Sequence, residues 1–239
     1  MERKTESLQG INIDTLKLDE AVEYAFENRG QVVTLNPEMV MSANKNKDFK
    51  NIIQNAQLVI PDGIGVKIGL KILGKKNIHR IAGIEFAYSM IKKFASEKLP
   101  VALIGAKQEV IETACNNLKK EFSGLNIVYS QNGYFTDKEK VKADLVNSGA
   151  KLVLVALGSP KQEEFIFEIK SHMPETLFIG VGGSFDVWAG LVRRAPEIWQ
   201  KTGFEWLYRT LKEPSRFKRI FPVLPMFVLK VLKERIFGC

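Results

Sequence analysis

Short apolar runs alternate along this chain with longer segments in which apolar residues recur at helical spacing. The short runs predict strands at Gln31–Leu35, Leu58–Ile60, Val101–Gly105, Ile127–Tyr129, Leu152–Leu157 and Leu177–Val181, with a weaker candidate at Ile11–Ile13. The longer segments predict helices at about residues 38–55, 64–74, 84–97, 107–122, 137–148 and 160–170.

Several of the predicted strands are uninterrupted apolar runs, such as LVLVAL at residues 152–157. Such runs are typical of parallel strands that helices cover on both faces. Regular alternation of strand and helix predicts right-handed crossovers. The fold class is therefore α/β: a doubly wound, mostly parallel, Rossmann-like sheet.

The pattern changes after Gly183, where strands stop and helical segments interrupted by prolines follow. We place a boundary near residues 190–200. Residues 1–194 then form an α/β catalytic domain, and residues 195–239 form a basic, helical, membrane-associating appendage.

The positive charge is concentrated in this last part of the chain. The net charge is +8, and residues 193–239 contain eleven Lys and Arg against four Asp and Glu, whereas residues 1–192 contain 24 against 23. This asymmetry predicts an anionic partner for the appendage: nucleic acid, a phosphate-bearing substrate or anionic lipid.

The segment Phe221–Phe237 predicts a basic amphipathic helix of about a dozen residues after Pro225. A helical projection places Lys230, Lys233 and Glu234 on one side and much of the apolar surface on the other: Phe227, Val228, Val231, Leu232 and Ile236. Such a helix suits an anionic membrane interface and is too short to span a bilayer. We assign this contact to residues 217–237. The alternative is that its apolar face packs on the domain or on a second subunit.

Polar residues and glycines follow the predicted strands, at the edge where open parallel sheets bind ligands. The candidates at these strand exits are Thr34, Asn36, Asp62, Tyr134, Gln162, Gly182, Gly183 and Asp186. Arginines that suit an anionic group are Arg80, in a loop before a helix, and Arg209, Arg216 and Arg219 in the appendage.

Each candidate also has an ordinary structural interpretation. Asp62 in Pro-Asp-Gly is equally suited to a turn. Asn36 before Pro37 is typical of a helix N-cap. Gly182 and Gly183 suit a tight strand-to-helix turn, and Gln162 is expected to face solvent in the first turn of a helix.

Several function classes lack their motifs. The chain has no dinucleotide fingerprint, P-loop, H-E-x-x-H, C-x-x-C or G-x-S-x-G. It also has no Asp-x-Asp pair of the kind that holds a divalent cation in many nucleotide-sugar enzymes. Its two cysteines are too few for a disulfide framework, and the first 20 residues contain no apolar signal segment, so we expect a cytoplasmic protein.

Seven segments together resemble the WecG/TagA/CpsF family of bacterial glycosyltransferases, most nearly its TagA-type branch of wall teichoic acid synthesis. They are TLNPEMVMSANKN (34–46), PDGIGV (61–66), RIAGIEF (80–86), LIGAK (103–107), NGYF (132–135), LVALGSPKQEEFI (154–166) and GVGGSFDVWAGLVRRAPEIWQKTGFEWLYRTLKEPSR (180–216). The match runs in order through nearly the whole chain, and its last segment is highly specific.

The resemblance implies an inverting, metal-independent transferase without a cofactor. It would move N-acetylmannosamine from UDP-ManNAc to the 4-hydroxyl of undecaprenyl-diphosphate-linked GlcNAc, on the inner face of the plasma membrane. By the same resemblance Asp62 matches the general base, and Thr34, Asn36, Arg80 and Gln162 match polar residues of its pocket. Tyr134, Gly182, Gly183 and Asp186 match the nucleotide side, and Arg209, Arg216 and Arg219 match arginines that close over the diphosphate.

Three alternatives stay open at this point. The same fold could use another donor, such as UDP-ManNAc uronate, for a different surface polysaccharide. The chain could be a non-catalytic module that binds a nucleotide or phospholipid. A nucleic-acid binder is the least favoured, because the apolar residues of the tail are too continuous for a surface that follows phosphates. A homo-oligomer is also compatible with the sequence.

Overall fold

The computed structural model describes residues 3–203, 205–212, 217 and 221–238, and of residues 201, 209 and 212 it describes the backbone alone. The strands in this part of the chain are β1 (Thr5–Leu8), β2 (Ile11–Asp14), β3 (Gly30–Leu35), β4 (Leu58–Pro61), β5 (Pro100–Gly105), β6 (Asn126–Gln131), β7 (Leu152–Ala156) and β8 (Leu177–Gly180). The helices are α1 (Leu18–Asn28), α2 (Pro37–Ala43), α3 (Lys47–Gln54), α4 (Gly63–Ile72), α5 (Gly83–Ser96), α6 (Gln108–Glu121), α7 (Lys138–Asn147), α8 (Lys161–Ile169), α9 (Ser184–Trp188), α10 (Glu197–Thr202), α11 (Glu205–Lys212) and α12 (Val223–Phe237).

Six strands form one parallel sheet in the order β4-β3-β8-β7-β5-β6. From β3 the chain continues to β4, at one edge of the sheet. It enters β8, the other neighbour of β3, from β7 in the opposite half of the sheet. The order therefore reverses between β3 and β8, and this switch point is where open α/β sheets have a crevice for ligands. Apolar clusters cover both faces of the sheet, and the predicted α/β class is confirmed.

The predicted strands agree with the observed ones to within two residues at each end, but two helical predictions need correction. The segment 38–55 is two helices, because Asn46 caps a new helix by accepting the N–H of Phe49 at 3.0 Å. The sequence analysis also missed α1, whose buried face is formed by Ala21, Val22 and Ala25.

A β-hairpin of β1 and β2 lies outside the main sheet, and β1 was not predicted. Its two-residue turn, Gln9-Gly10, has positive φ at both residues (52° and 68°), which suits a tight hairpin. The fully buried carboxylate of Asp14 accepts the backbone N–H of Val59 at 2.8 Å and pairs with Arg3. The hairpin thereby attaches to the edge strand β4.

Helix α12 packs one side onto this part of the domain. Phe227 and Val231 are fully buried in the same apolar cluster as residues of β1, β2, α2 and α4. Glu234 accepts the backbone N–H of Gln9 at 3.1 Å and its side-chain amide at 2.7 Å, and Arg235 donates to the carbonyl of Ile72. The alternative that the helix packs on the domain is thus correct for this side.

The opposite side of α12 carries a second set of apolar residues that remains exposed. We call it the outer face: Met226, Val228, Leu229, Leu232, Ile236 and Phe237. Leu229 is 66% exposed and Ile236 is 71% exposed. Among the described residues, no helix has the length and apolarity needed to cross a bilayer.

Removing the Phe227 ring should destabilise the protein strongly. The ring is 1% exposed and lies so close to Gly69 of α4 that a Cβ there would come within 2.9 Å of it. We expect Phe227→Ala to lower the free energy of unfolding by about 3–5 kcal/mol, measured by urea denaturation. Phe237→Ala on the same helix is the control and should change it by less than about 0.5 kcal/mol. Equal effects would contradict the packing.

Candidate active site

A cavity of about 1050 Å³ opens at the carboxyl edge of the sheet, over the switch point between β3 and β8. This volume lies at the top of the usual range for small-ligand sites, about 300–1,000 Å³. Eight of the twelve predicted site residues line it together: Thr34, Asn36, Asp62, Arg80, Gln162, Gly182, Gly183 and Asp186. They come from five separate segments of the chain, and the fold brings together residues as far apart as Thr34 and Asp186, which are 152 positions apart.

Asp62 lies directly between β4 and α4. Its backbone N–H donates to the carbonyl of Leu35 at 2.9 Å, which holds the end of β4 against the end of β3. The half-buried carboxyl occupies the position before the first helical residue, yet it does not cap α4. The turn interpretation and the site interpretation of Asp62 are therefore compatible: the backbone makes the turn and the side chain belongs to the cavity wall.

Thr34 and Asn36 enter the cavity from the end of β3. Asn36 is the N-cap of α2, because its Oδ1 accepts the N–H of Met39 at 3.0 Å and Pro37 occupies the first helical position. The expected capping role is confirmed, and the same residue lines the cavity. A Cβ on Gly83 would lie 3.0 Å from Thr34, so that glycine allows the start of α5 to approach the strand.

Gln162 is buried, and the expectation that it faces solvent was wrong. Its Oε1 accepts the backbone N–H of Gly182 at 3.1 Å, and its Nε2 donates to Glu163 Oε1 at 2.7 Å. A Cβ on Gly180 would lie only 2.5 Å from Gln162 Nε2. Only glycine at position 180 therefore leaves room for the amide. The first turn of α8 therefore points into the end of β8 and not outward.

Glu163 is a buried acid that the sequence analysis did not select. It is 2% exposed, and burial raises the pKa of its carboxyl from 4.5 to about 7, with the hydrogen bond from Gln162 acting in the opposite direction. In sequence it stands in the charged run Lys-Gln-Glu-Glu, which is typical of a solvated helix start. Only the packing of α8 on the sheet distinguishes it from Glu164.

The raised pKa of Glu163 should make folding stability depend on pH. The folded state keeps this proton up to about pH 7, whereas the unfolded chain loses it near pH 4.5. The stabilising contribution is therefore complete below pH 4.5 and is lost as the pH rises through 7, with a total of about 3 kcal/mol. Urea denaturation of wild type and Glu163→Gln between pH 5 and 8 measures this. The variant should gain stability relative to wild type across that range, and parallel curves would contradict the assignment.

The chain after α9 closes one side of the cavity. Gly203, which follows α10, and Glu205 and Trp206, the first two residues of α11, are among its lining residues. Arg80 Nη2 donates to the carbonyl of Gln200 in α10 at 2.9 Å. Arg80 thus connects the segment that precedes α5 with the segment that covers the site.

Arg194 makes a second connection between the same parts of the chain. Its Nη2 lies 2.5 Å from Glu85 at the start of α5 and 3.7 Å from Glu205 at the start of α11. The side chains of Arg194 and Glu205 are largely covered. The ion pairs therefore hold α11 beside the cavity.

The charges of the described cavity wall are mainly negative. Its acidic residues are Glu38, Asp62, Asp186 and Glu205, and its basic residues are Lys45 and Arg80. Among the residues that the structure describes, no three His, Cys, Asp or Glu side chains are grouped so that they could hold a metal ion. An anionic ligand here needs further positive charge.

The remaining four predicted site residues lie elsewhere or beyond the description. Tyr134 is 73% exposed after β6, although its neighbour Gly133 packs closely on Gly105 and Leu157 near the cavity. Arg209 belongs to α11, but its side chain lies outside the described residues. Arg216 and Arg219 lie outside them altogether.

The sequence analysis missed an apolar side of the cavity. Met39 of α2, Ile64 and Ile68 of α4, and Leu224 and Val228 of α12 form it, and it leads toward the outer face of α12. The helical periods of these segments identify apolar positions but not which of them face an empty space. Their meeting depends on the docking of α12, which sequence periodicity does not encode.

Comparison with known proteins shows the family to which the chain belongs. A model of the glycosyl transferase WecG/TagA/CpsF family matches residues 6–238. The chain is also 36% identical over 212 residues to the N-acetylglucosaminyldiphosphoundecaprenol N-acetyl-beta-D-mannosaminyltransferase of Bacillus spizizenii, an alignment that covers 88% of this chain and 82% of that protein. Both comparisons confirm the resemblance carried by the seven segments. The chain belongs to the glycosyl transferase WecG/TagA/CpsF family.

Proposed function

We propose that the protein transfers N-acetylmannosamine from UDP-ManNAc to the 4-hydroxyl of undecaprenyl-diphosphate-linked GlcNAc, an early step in building the linkage unit of wall teichoic acid. The observation that carries this proposal is the similarity to the Bacillus spizizenii transferase over 88% of the chain. The cavity supports it, because polar residues from five segments line it together with the Asp62 carboxylate at the end of β4.

Asp62 acts as the general base in this proposal. The acceptor 4-hydroxyl oxygen attacks the anomeric carbon of the donor, its proton passes to the Asp62 carboxylate, and the bond from that carbon to UDP breaks. Attack from the face opposite to UDP inverts the anomeric centre. Thr34, Asn36 and Gln162 lie around Asp62 in the cavity wall and orient the two sugars.

The departing UDP gains negative charge on its diphosphate, and positive groups placed there stabilise the transition state. The described wall provides few such groups besides Arg80, so the proposal assigns the rest to Arg209, Arg216 and Arg219. Arg209 belongs to α11, the helix whose first residues, Glu205 and Trp206, line the cavity, and this supports the assignment. With these cations, catalysis needs no metal ion in our proposal.

The nucleotide lies toward β8 and β5. Gly182 has φ of +50°, and a Cβ there would meet nothing within 4 Å, which leaves the backbone open to a ligand. Gly183 and Asp186 continue this wall into α9. Tyr134 lies beyond Gly133 on the same side, where it is exposed and suited to contact the uracil ring.

The acceptor is lipid-linked, so we propose that the protein lies on the cytoplasmic face of the membrane and touches it with residues 217–237. The outer face of α12 provides apolar side chains next to Lys233, the combination that binds an anionic interface. In the domain division that we propose, residues 1–194 catalyse and residues 195–239 bring the diphosphate and the lipid to them.

A panel of UDP-sugars tests the function. The purified full chain is mixed with a short-chain lipid-diphosphate GlcNAc and UDP-ManNAc, UDP-ManNAc uronate, UDP-GlcNAc or UDP-glucose, and UDP release is followed with and without EDTA. We expect release with UDP-ManNAc only when the acceptor is present, unchanged by EDTA. Preference for the uronate would reassign the donor, and nucleotide binding without release would indicate a non-catalytic module.

A further inference from the structure

Glu163 is a buried carboxyl next to the cavity that the proposed chemistry does not use. One oxygen, Oε1, accepts Gln162 Nε2, whereas Oε2 is buried and receives no hydrogen bond from any residue that the structure describes. Such a group is costly to bury, and a leucine of similar size would avoid that cost. Its position therefore needs a reason other than stability.

The surroundings of Glu163 show which group it controls. Gln162 Nε2 donates to Glu163 Oε1 beside Gly180, and Gln162 Oε1 accepts the Gly182 N–H. A side-chain amide has a donating end and an accepting end, which a half-turn about its last bond exchanges. Because the carboxyl can accept at this point, it selects the orientation in which the amide oxygen faces Gly182.

We propose that Glu163 is a positioning residue, whose buried carboxyl holds the Gln162 amide in the one orientation that binds the Gly182 N–H and fixes the glycine turn at the cavity wall. The geometry supplies each link: Glu163 to Gln162 at 2.7 Å and Gln162 to Gly182 at 3.1 Å. The carboxyl itself is not among the residues that line the cavity, so it acts through Gln162. The catalytic consequence of this role rests on the proposed function.

The glycine turn needs such an anchor. Gly182 adopts a left-handed φ of +50° between β8 and α9, and glycine has wide conformational freedom there. Its N–H donates to Gln162 Oε1, and this is the side-chain hydrogen bond that the structure shows for Gly182. Without it the turn at the cavity wall would have more freedom, and the ligand groups that it contacts would be less well placed.

Amide hydrogen exchange of Gly182, followed by NMR on the full chain, tests the positioning role without any assay of activity. We expect Glu163→Leu to make this amide exchange roughly five- to tenfold faster, the factor that corresponds to losing a single hydrogen bond. Glu164→Leu, one residue along the same helix turn, should leave it unchanged. In a Gln162→Ala background, Glu163→Leu should have no further effect.

Gly180→Ala provides a second variant that leaves Glu163 in place, which covers the case in which Glu163→Leu fails to fold. Its methyl group would lie 2.5 Å from Gln162 Nε2 and 3.0 Å from Glu163 Oε1, so it would disrupt the hydrogen bond between these two side chains and Gly182 exchange should again rise. If neither folded variant changes Gly182 exchange, or if Glu163→Leu acts equally with and without Gln162, the positioning role is wrong.

Turnover provides the functional readout. Glu163→Leu should reduce transfer about tenfold in the wild-type background and less than twofold in the Gln162→Ala background, because coupled residues are not additive. Glu163→Gln keeps an accepting oxygen and should retain activity to within about threefold. Additive losses would indicate a structural residue only. A wild-type protein with no transfer would refute the proposed function, while the exchange experiment would still decide the role of Glu163.

Discussion

Replacing Asp62 by asparagine should reduce turnover about 100-fold or more while UDP binding changes by less than about twofold. Asparagine keeps the size and polarity of the side chain but cannot take a proton from the acceptor hydroxyl. The backbone bond from residue 62 to Leu35 does not involve the side chain and should survive. Initial rates with UDP-ManNAc and a short-chain acceptor, together with calorimetric titration of UDP, separate the two effects.

Asp48→Asn is the matched control for this experiment. Asp48 also stands at the start of a helix, in the first turn of α3, but it is exposed and does not line the cavity. It should keep full activity. If Asp62→Asn lost UDP binding and rate to the same degree, or lowered the melting temperature by many degrees, Asp62 would be a structural residue and the base would have to be found elsewhere.

Charged residues on the outer face of α12 should separate membrane binding from chemistry. We expect the double variant Leu229→Glu, Ile236→Glu to lose at least tenfold in binding to vesicles that contain anionic lipid, since each exposed side chain buries apolar area worth roughly 1.5–3 kcal/mol when it enters an interface. Turnover with a long-chain acceptor in vesicles should fall by a similar factor. Turnover with a short-chain, water-soluble acceptor should stay within about twofold, because neither residue lines the cavity.

The control for this variant is Val146→Glu on α7, an exposed apolar residue outside the appendage. It should leave vesicle binding unchanged. Sedimentation with vesicles and size-exclusion chromatography of each variant distinguish the two occupants of the outer face. Unchanged vesicle binding, together with a shift from dimer to monomer in the double variant, would assign the face to a second subunit and contradict the membrane proposal.

The strands were predictable because their burial is a local property. Runs such as Leu152–Ala156 are apolar at every position, and the structure buries every residue of that strand. Edge strand β6 has a less uniform pattern, and its observed ends, Asn126 and Gln131, extend beyond the apolar residues that identified it. The ends of such strands depend on hydrogen bonds to a neighbour, which hydrophobicity does not report.

The candidate site was predictable for a different reason. All strands of a parallel sheet have their carboxyl ends at the same edge, whatever the order of the strands. Residues that follow separate strands, such as Asn36 and Asp62, were therefore expected to meet. The sequence did not show which residues in the first turn of a helix face the sheet and which face solvent. Gln162 was misjudged and Glu163 was not selected, because amides and acids in a first turn usually lie in solvent.

Helix α12 shows the limit of periodicity most clearly. The projection grouped Phe227 and Val231 with Val228, Leu232 and Ile236 as one membrane face, but the structure divides them between a buried side and the outer face. Hydrophobicity alone does not distinguish a surface buried against protein from one that remains exposed. The contact of Glu234 with Gln9, 225 residues earlier in the chain, decides the orientation.

We propose above all that this protein joins N-acetylmannosamine to a lipid-linked GlcNAc. The most direct test of this claim is to incubate the full chain with UDP-ManNAc and undecaprenyl-diphosphate GlcNAc in vesicles, then isolate the lipid product for mass spectrometry and NMR. We predict one added N-acetylhexosamine, β-linked to the 4-position of GlcNAc, with an equal amount of UDP. An unmodified acceptor, or a product with retained anomeric configuration, would contradict the claim.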